Sequence, residues 1–431
     1  MTAIAADKVQ YGPAGGWVLP PPAPTDGATP AGATARVIYS DIQVRVTDKG
    51  DETYTAYRIK LLKPDALPVG NISTAWNPAA GGVTVHMLRI IRDGRPIDVL
   101  KSTRFTVLQR EANLELAQLS GTLTAMLQTP GLQVGDEIEY AVTVRAQDPT
   151  LGDHHFGFAM LPPGGTPGAY RMRISWPAER AVRWRATPDM GEITPRAEGG
   201  LMVLDYALRD PKSTVPTDGA PGRYNIRRLA EYSDYAGWED ISGRLWTLFD
   251  KAAVLKAGSP LGQEVARIAA ASSDPAAQAA AALKLAQEQL RYVYVGLNGG
   301  NYQPASPDDS WSRRFGDCKA KTVLLLALLK GLGISAEAVM VNSAGGDGLD
   351  ERLPSPLLFD HVLVRATVGG KAYWLDGTRL GDTSLEQLPP SPYRWALPLR
   401  PGGGGGGGAG RPPPPPPPPH PGRAGNDAWG G

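Results

Sequence analysis

A single cysteine, Cys318, stands in 431 residues, so no intramolecular disulfide can form and cysteine usage carries no information about redox compartment. Charge of one sign is also missing. With 44 basic and 43 acidic residues the formal charge is +1, and no global field exists to attract nucleic acid or an anionic membrane surface. No run of 18 or more apolar residues occurs, which excludes a membrane-spanning helix by composition. The five histidines, at 86, 154, 155, 361 and 420, show no standard metal-ligand spacing, so neither a metal nor another cofactor is expected. His154 and His155 are adjacent and lack a third ligand near in sequence, which favours a loop over a metal site. What the chain does have is apolar residues, 42% of the total, enough for two or three domains with a core each.

The first residues, MTAIAADKV, contain Ala-Ile-Ala followed by Ala, which looks like the end of a secretory signal peptide whose charged and apolar regions are missing. The same residues read equally well as a disordered Ala-rich start, and the Pro-, Gly- and Ala-rich composition extends that expectation over 1–35. From Val37 the chain alternates: Ile42, Val44 and Val46 are apolar, Gln43, Arg45 and Thr47 polar. The period returns at Ile138, Tyr140, Val142 and Val144 and at Tyr170, Met172 and Ile174. Half-buried antiparallel strands separated by turns imply a β-sandwich over 36–210, with its charged residues facing solvent. A Pro/Gly-rich connector, 211–235, leads to helical spacing: Trp238, Ile241, Leu245, Leu248 and Phe249, then an Ala/Leu-rich helix to about Arg291 capped by Asp274 with Pro275 at its first position.

Asp317 is a good N-cap, and the apolar run from Val323 ends at Gly331 and Gly333, so a helix is predicted over about 318–330. Cys318 then sits in its first turn, where unpaired N–H groups and the helix dipole favour a thiolate and can face an oxyanion. Free cysteine is also among the most buried residue types, so the position alone leaves a packed thiol open. Downstream, FDHVLVRATVGGKAYWLDGT reads as a β-hairpin with Gly369-Gly370 as a two-residue primed turn. Pairing Val368 with Lys371 sets His361 opposite Thr378 and Asp376 opposite Leu363. Side chains alternate, so His361 and Asp376 project from one face, a diagonal step apart. Nucleophile, base and orienting carboxylate are then present in the order Cys, His, Asp.

The GDCKAK motif opening an apolar helix, the DHVLV strand and the YWLDGT strand together resemble the bacterial transglutaminase-like superfamily over about 240–385. The stretch 36–210, with the YGPA segment near residue 11, resembles the uncharacterised β-rich domain that often precedes such a module in exported bacterial proteins. The resemblance implies an α+β protein, an antiparallel β-sandwich followed over 236–398 by a transglutaminase-like (papain-like) domain. It implies Cys318 as nucleophile, His361 as general base and then acid, and Asp376 orienting His361. Gln303, in the loop NYQP upstream of the nucleophile, is the candidate second oxyanion donor beside the Cys318 backbone N–H; Trp311 competes for that role. Ala320 departs from the family pattern, where an acidic residue is common, a change expected to alter a surface contact and to leave the three chemical groups intact.

The expected activity is attack of Cys318 on an amide of a protein or peptide substrate, resolved by water or by an amine. The alternative is a non-catalytic envelope module whose β-sandwich recognises a protein or peptidoglycan partner. An exported, periplasmic location is expected in either case. From 399 to 431 the chain carries seven consecutive glycines and eight consecutive prolines, which cannot bury a core. The abrupt change after Leu399 reads as a reading-frame shift slightly ahead of a true linker.

Overall fold

A computed structural model describes residues 7–108, 118–119, 122–148, 150–216, 218–295 and 302–402. The expectation for the Gly/Pro tail beyond 402, and His420 with it, lies outside the described residues. The fold is mixed α+β.

In the N-terminal half, nine strands form one sheet. Its order runs Gln10–Tyr11, Gly81–Arg92, Glu137–Ala146, Gly50–Leu61, Ala35–Thr47, Ala169–Pro177, Leu201–Arg209 and Arg196–Glu198, with Arg95–Asp98 hairpinned onto Gly81–Arg92. The alternation read from sequence sets its inner face: Val44, Val46, Val142, Met172 and Ile174 are all buried. Two small sheets cover that face. One is Phe156–Met160, Leu229–Ser233 and Arg183–Ala186, whose Ala159, Ala230 and Tyr232 join the core of Val44, Ile174 and Trp176. The other is Asn71–Trp76, Leu123–Gln128 and Thr106–Leu108, whose Ile72, Trp76 and Leu127 join Val85, Leu88 and Val142.

Four expectations need correction here. Not all pairing is antiparallel: Ala35–Thr47 runs parallel to Ala169–Pro177, and Gln10–Tyr11 parallel to Gly81–Arg92. The segment expected to be disordered, from residue 7 onward, lies extended across the outer face, where Leu19 exchanges hydrogen bonds with the Gln43 amide at 2.9 and 3.1 Å. Trp17 and Val18 pack beside Tyr39 and Ala56. Polar residues expected to face solvent are therefore buried: Asp41 and Gln43 are fully covered, and Arg171 grips Asp41 at 2.6 and 2.8 Å. Finally, the connector expected over 211–235 contributes Leu229–Ser233, the central strand of a sheet.

Among the described residues of the C-terminal half, five α-helices pack with a four-stranded sheet: α1 (Trp238–Ala252), α2 (Pro260–Ala271), α3 (Pro275–Glu288), α4 (Pro307–Arg313) and α5 (Cys318–Gly331). The sheet order is Lys371–Leu375, His361–Val368, Ser335–Val341 and Ala396–Pro398. The predicted caps are in place. Asp274 accepts from the Ala276 and Ala277 amides at 3.1 Å, and Asp317 accepts from the Ala320 amide at 2.9 Å. Helix α5 is apolar on all sides because it is surrounded. Val323 packs with Met340, Val362 and α1, while Leu324, Leu325 and Leu328 pack with α2, α3 and the sheet. The halves are joined at several points: Leu151 enters the cluster that contains Cys318, Arg352 pairs with Glu231 at 2.7 Å, and Ser233 donates to the Pro354 carbonyl at 2.6 Å.

Candidate active site

The hairpin adopts the register deduced from its turn. Val368 pairs with Lys371 and Val364 with Leu375, while Gly369 and Gly370 take φ of +58° and +77°, as a primed turn requires. His361 opens one strand and Asp376 follows the end of the other. Their side chains meet, with His361 Nε2 to Asp376 Oδ2 at 3.0 Å. The Cys318 thiol neighbours the same imidazole and raises its hold on a proton. All three side chains predicted from sequence thus meet at His361.

Each group is held in the polarity that this chain of bonds needs. Cys318 has no exposed surface, as the first residue of α5 within the apolar cluster. Burial of His361 opposes its protonation, but the bond to Asp376, the neighbouring Cys318 thiol and the charge of the carboxylate outweigh it and raise the imidazole from 6.5 to about 10. Asp376 shows the converse: burial pushes its carboxyl up, and the His361 bond and charge with the Thr378 bonds bring it below the usual range. Thr378 supplies two donors to Asp376 Oδ1, its amide at 2.9 Å and its hydroxyl at 2.7 Å. The arrangement sets an imidazole that favours its proton between the Asp376 carboxylate and the Cys318 sulfur, and it can deliver a nucleophilic sulfur and a proton to the same substrate.

The remaining candidates separate. Gln303 is exposed in the loop before α4, and no described hydrogen bond ties it to the three groups. Trp311 is buried in the cluster on the other side of α5, with the Arg314 guanidinium 3.8 Å from its ring centroid, where it packs the helix. Ala320 is buried at 2% exposure, which corrects its reading as a surface position. His154 and His155 each take a carboxylate, Asp234 at 2.9 Å and Asp51 at 2.6 Å, in the junction between the halves.

Residue-by-residue reading passed over three positions around the site. Lys321 is 1% exposed and donates to the carbonyls of Ala286, Gln287 and Gly377. Gln287 donates to the Asp376 carbonyl at 2.9 Å, and Thr378 braces the carboxylate. A lysine one turn beyond Cys318 in a helix with no polar face was the available signal, since no solvated side existed to receive it.

Comparison with known proteins follows the same division of the chain. Residues 47–214 match the model of a domain of unknown function with a solved structure, DUF3857. No curated protein matches the chain. Among solved structures, a protein from Parabacteroides distasonis described as a candidate protease is 16% identical with a TM-score of 0.64, over 80% of this chain and 67% of that one. That likeness extends across both halves and shows a shared fold. A candidate cysteine protease from Cytophaga hutchinsonii is 15% identical over 54% of this chain and 75% of that one, with a TM-score of 0.24, too low to carry an argument.

Proposed function

We propose that this chain is a cysteine enzyme of the transglutaminase-like kind, acting on amide bonds of proteins or peptides through a thioester on Cys318. The observation that carries the reading is the meeting of Cys318, His361 and Asp376 at one place, the imidazole bonded to Asp376 at 3.0 Å and beside the Cys318 thiol, where both neighbours raise its hold on a proton. The Cys318 thiolate attacks the amide carbon, and the oxyanion forms against the unpaired N–H groups of the first turn of α5. Gln303 is the proposed second donor, by its place upstream of the nucleophile. His361 gives its proton to the leaving nitrogen as the C–N bond breaks, so ammonia or an amine departs and a thioester remains. The now neutral imidazole takes a proton from water or from an amine as that group attacks the thioester, and Cys318 leaves as thiolate with His361 again protonated. Water gives hydrolysis or deamidation; an amine gives a crosslink. An exported chain would meet such substrates in the cell envelope.

A second reading is favoured by one observation, the complete burial of Cys318: a non-catalytic module in which the same three groups hold the core together. The two are separated by iodoacetamide labelling of the native protein at pH 7 beside Cys318→Ala and His361→Ala, with ammonia release and fluorescent-amine incorporation measured on a glutamine-rich protein. Enzyme chemistry requires labelling to slow at least tenfold in His361→Ala and both activities to vanish in Cys318→Ala. Equal labelling rates with and without His361, together with no activity in the native protein, would leave the structural reading.

A further inference from the structure

Lys321 is the one ammonium of the described C-terminal half whose three bonds all go to backbone carbonyls beneath the candidate site. Two of those acceptors, the carbonyls of Ala286 and Gln287 at 2.9 and 3.3 Å, belong to the last turn of α3, where helical C=O groups have no partner within the helix and the dipole is negative. The third, the carbonyl of Gly377 at 3.0 Å, belongs to the residue directly after Asp376. The carbonyl of Asp376 itself is taken by Gln287 Nε2, and the same nitrogen reaches Asp382 at 2.7 Å. Both peptide oxygens of the Asp376-Gly377 pair are therefore fixed to the end of α3 and to the helix of the nucleophile. Gly377 comes so close that a Cβ on it would stand 3.3 Å from the Lys321 Cβ.

A buried ammonium is an expensive way to cap a helix, since the acceptors it bonds are all neutral and water or glycine would serve. Burial draws the Lys321 ammonium down to about 8, and the charge of Asp376 is what opposes that fall. The expense makes sense if the charge is used. When His361 passes its proton to a leaving amine, Asp376 loses its cationic partner, and a second cation nearby keeps the carboxylate anionic and accepting from Nε2–H throughout the cycle.

We propose that Lys321 is a positioning residue for Cys318, His361 and Asp376: it locks the turn carrying Asp376 to the helix carrying Cys318 and holds that carboxylate in its accepting form. The inference rests on the cysteine-enzyme reading above, and the test separates the two. In the full chain, the downfield imidazole N–H proton resonance is assigned by its loss in His361→Ala, then followed in Lys321→Met together with Cys318 alkylation at pH 7 and the far-UV circular dichroism. The expected result is a shifted or broadened resonance and alkylation slowed about tenfold in a folded protein, with Lys321→Met adding nothing further in an Asp376→Ala background. Gly377→Ala, which presses on the same contact with no forbidden φ, is expected to move the resonance the same way and slow alkylation a few-fold; it carries the test if Lys321→Met does not fold. An unmoved resonance and unchanged alkylation in a folded Lys321→Met or in Gly377→Ala overturn the role of Lys321 while leaving the enzyme reading intact. Alkylation indifferent to His361 would overturn the enzyme reading itself, and this proposal with it.

Discussion

Between pH 6.5 and 10.5 two buried side chains at the site pull stability in opposite directions. The imidazole of His361 is raised from 6.5 to about 10, so the folded protein holds that proton more tightly than the unfolded chain. Its contribution is whole below about 6.5 and is lost as the pH rises through about 10. The ammonium of Lys321 is lowered from 10.5 to about 8, so its burial cost is present below about 8 and fades as the pH rises toward 10.5. The native curve mixes both. The difference between native protein and His361→Gln cancels the lysine term and isolates the imidazole. We expect that difference, measured by urea unfolding at pH 6, 8 and 10, to shrink by a few kcal/mol on the scale of about 1.4 kcal/mol per pKa unit. A difference that stays constant over that range would mean that His361 gains no proton affinity on folding.

At the scale of elements, α3 is fixed at both ends by side chains outside its apolar face. Asp274 caps its first turn through two amides, and Lys321 takes carbonyls of its last. Asp274 is exposed and remote from the site, so Asp274→Ala should cost about 1 kcal/mol in urea unfolding, with Asp274→Asn recovering most of it, and neither should change Cys318 alkylation. A loss of alkylation in a stable Asp274→Ala would mean that α3 transmits position from its far end as well.

The same elements show what sequence could disclose. Caps and the glycine turn act within four residues, so Asp274, Asp317 and the register that joins His361 to Asp376 were legible, and the register located two of the three candidate catalytic groups. Lys321 and Gln287 were not, because their partners lie 34 to 95 residues away. The strand Ser335–Val341 was passed over because its apolar positions run on without a distinct period, whereas helix α2 was legible by the same local rules and missed, with Ser259 and Pro260 opening it and Leu261, Val265 and Ile268 at helical spacing. The extended N-terminal segment was misread for a related reason: proline and glycine report local stiffness, and nothing local reports that Gln43 and Arg171 wait on the sheet to bind its carbonyls.

Across the whole molecule the two halves share a core, and this governs how they unfold. Leu151, from the N-terminal half, is 2% exposed in the cluster with Cys318, Tyr235, Phe359 and Trp395. Beside it, polar bonds cross the junction: Arg352 meets Glu231 at 2.7 Å and Ser233 donates to the Pro354 carbonyl at 2.6 Å. Separating the halves would expose apolar surface on both and leave Glu231, Arg352 and Ser233 without these partners, costs that oppose independent unfolding. We therefore expect one cooperative urea transition, with far-UV circular dichroism and tryptophan fluorescence coinciding even though the tryptophans are spread over both halves. Leu151→Ala should lower stability by about 2–5 kcal/mol and move both signals together. Two separated transitions, or a Leu151→Ala variant that shifts one signal and leaves the other, would show that the shared cluster does not couple the halves. Coincident signals would mean that the shape of the site around Cys318 depends on the β-rich half as much as on the helix that carries the thiol.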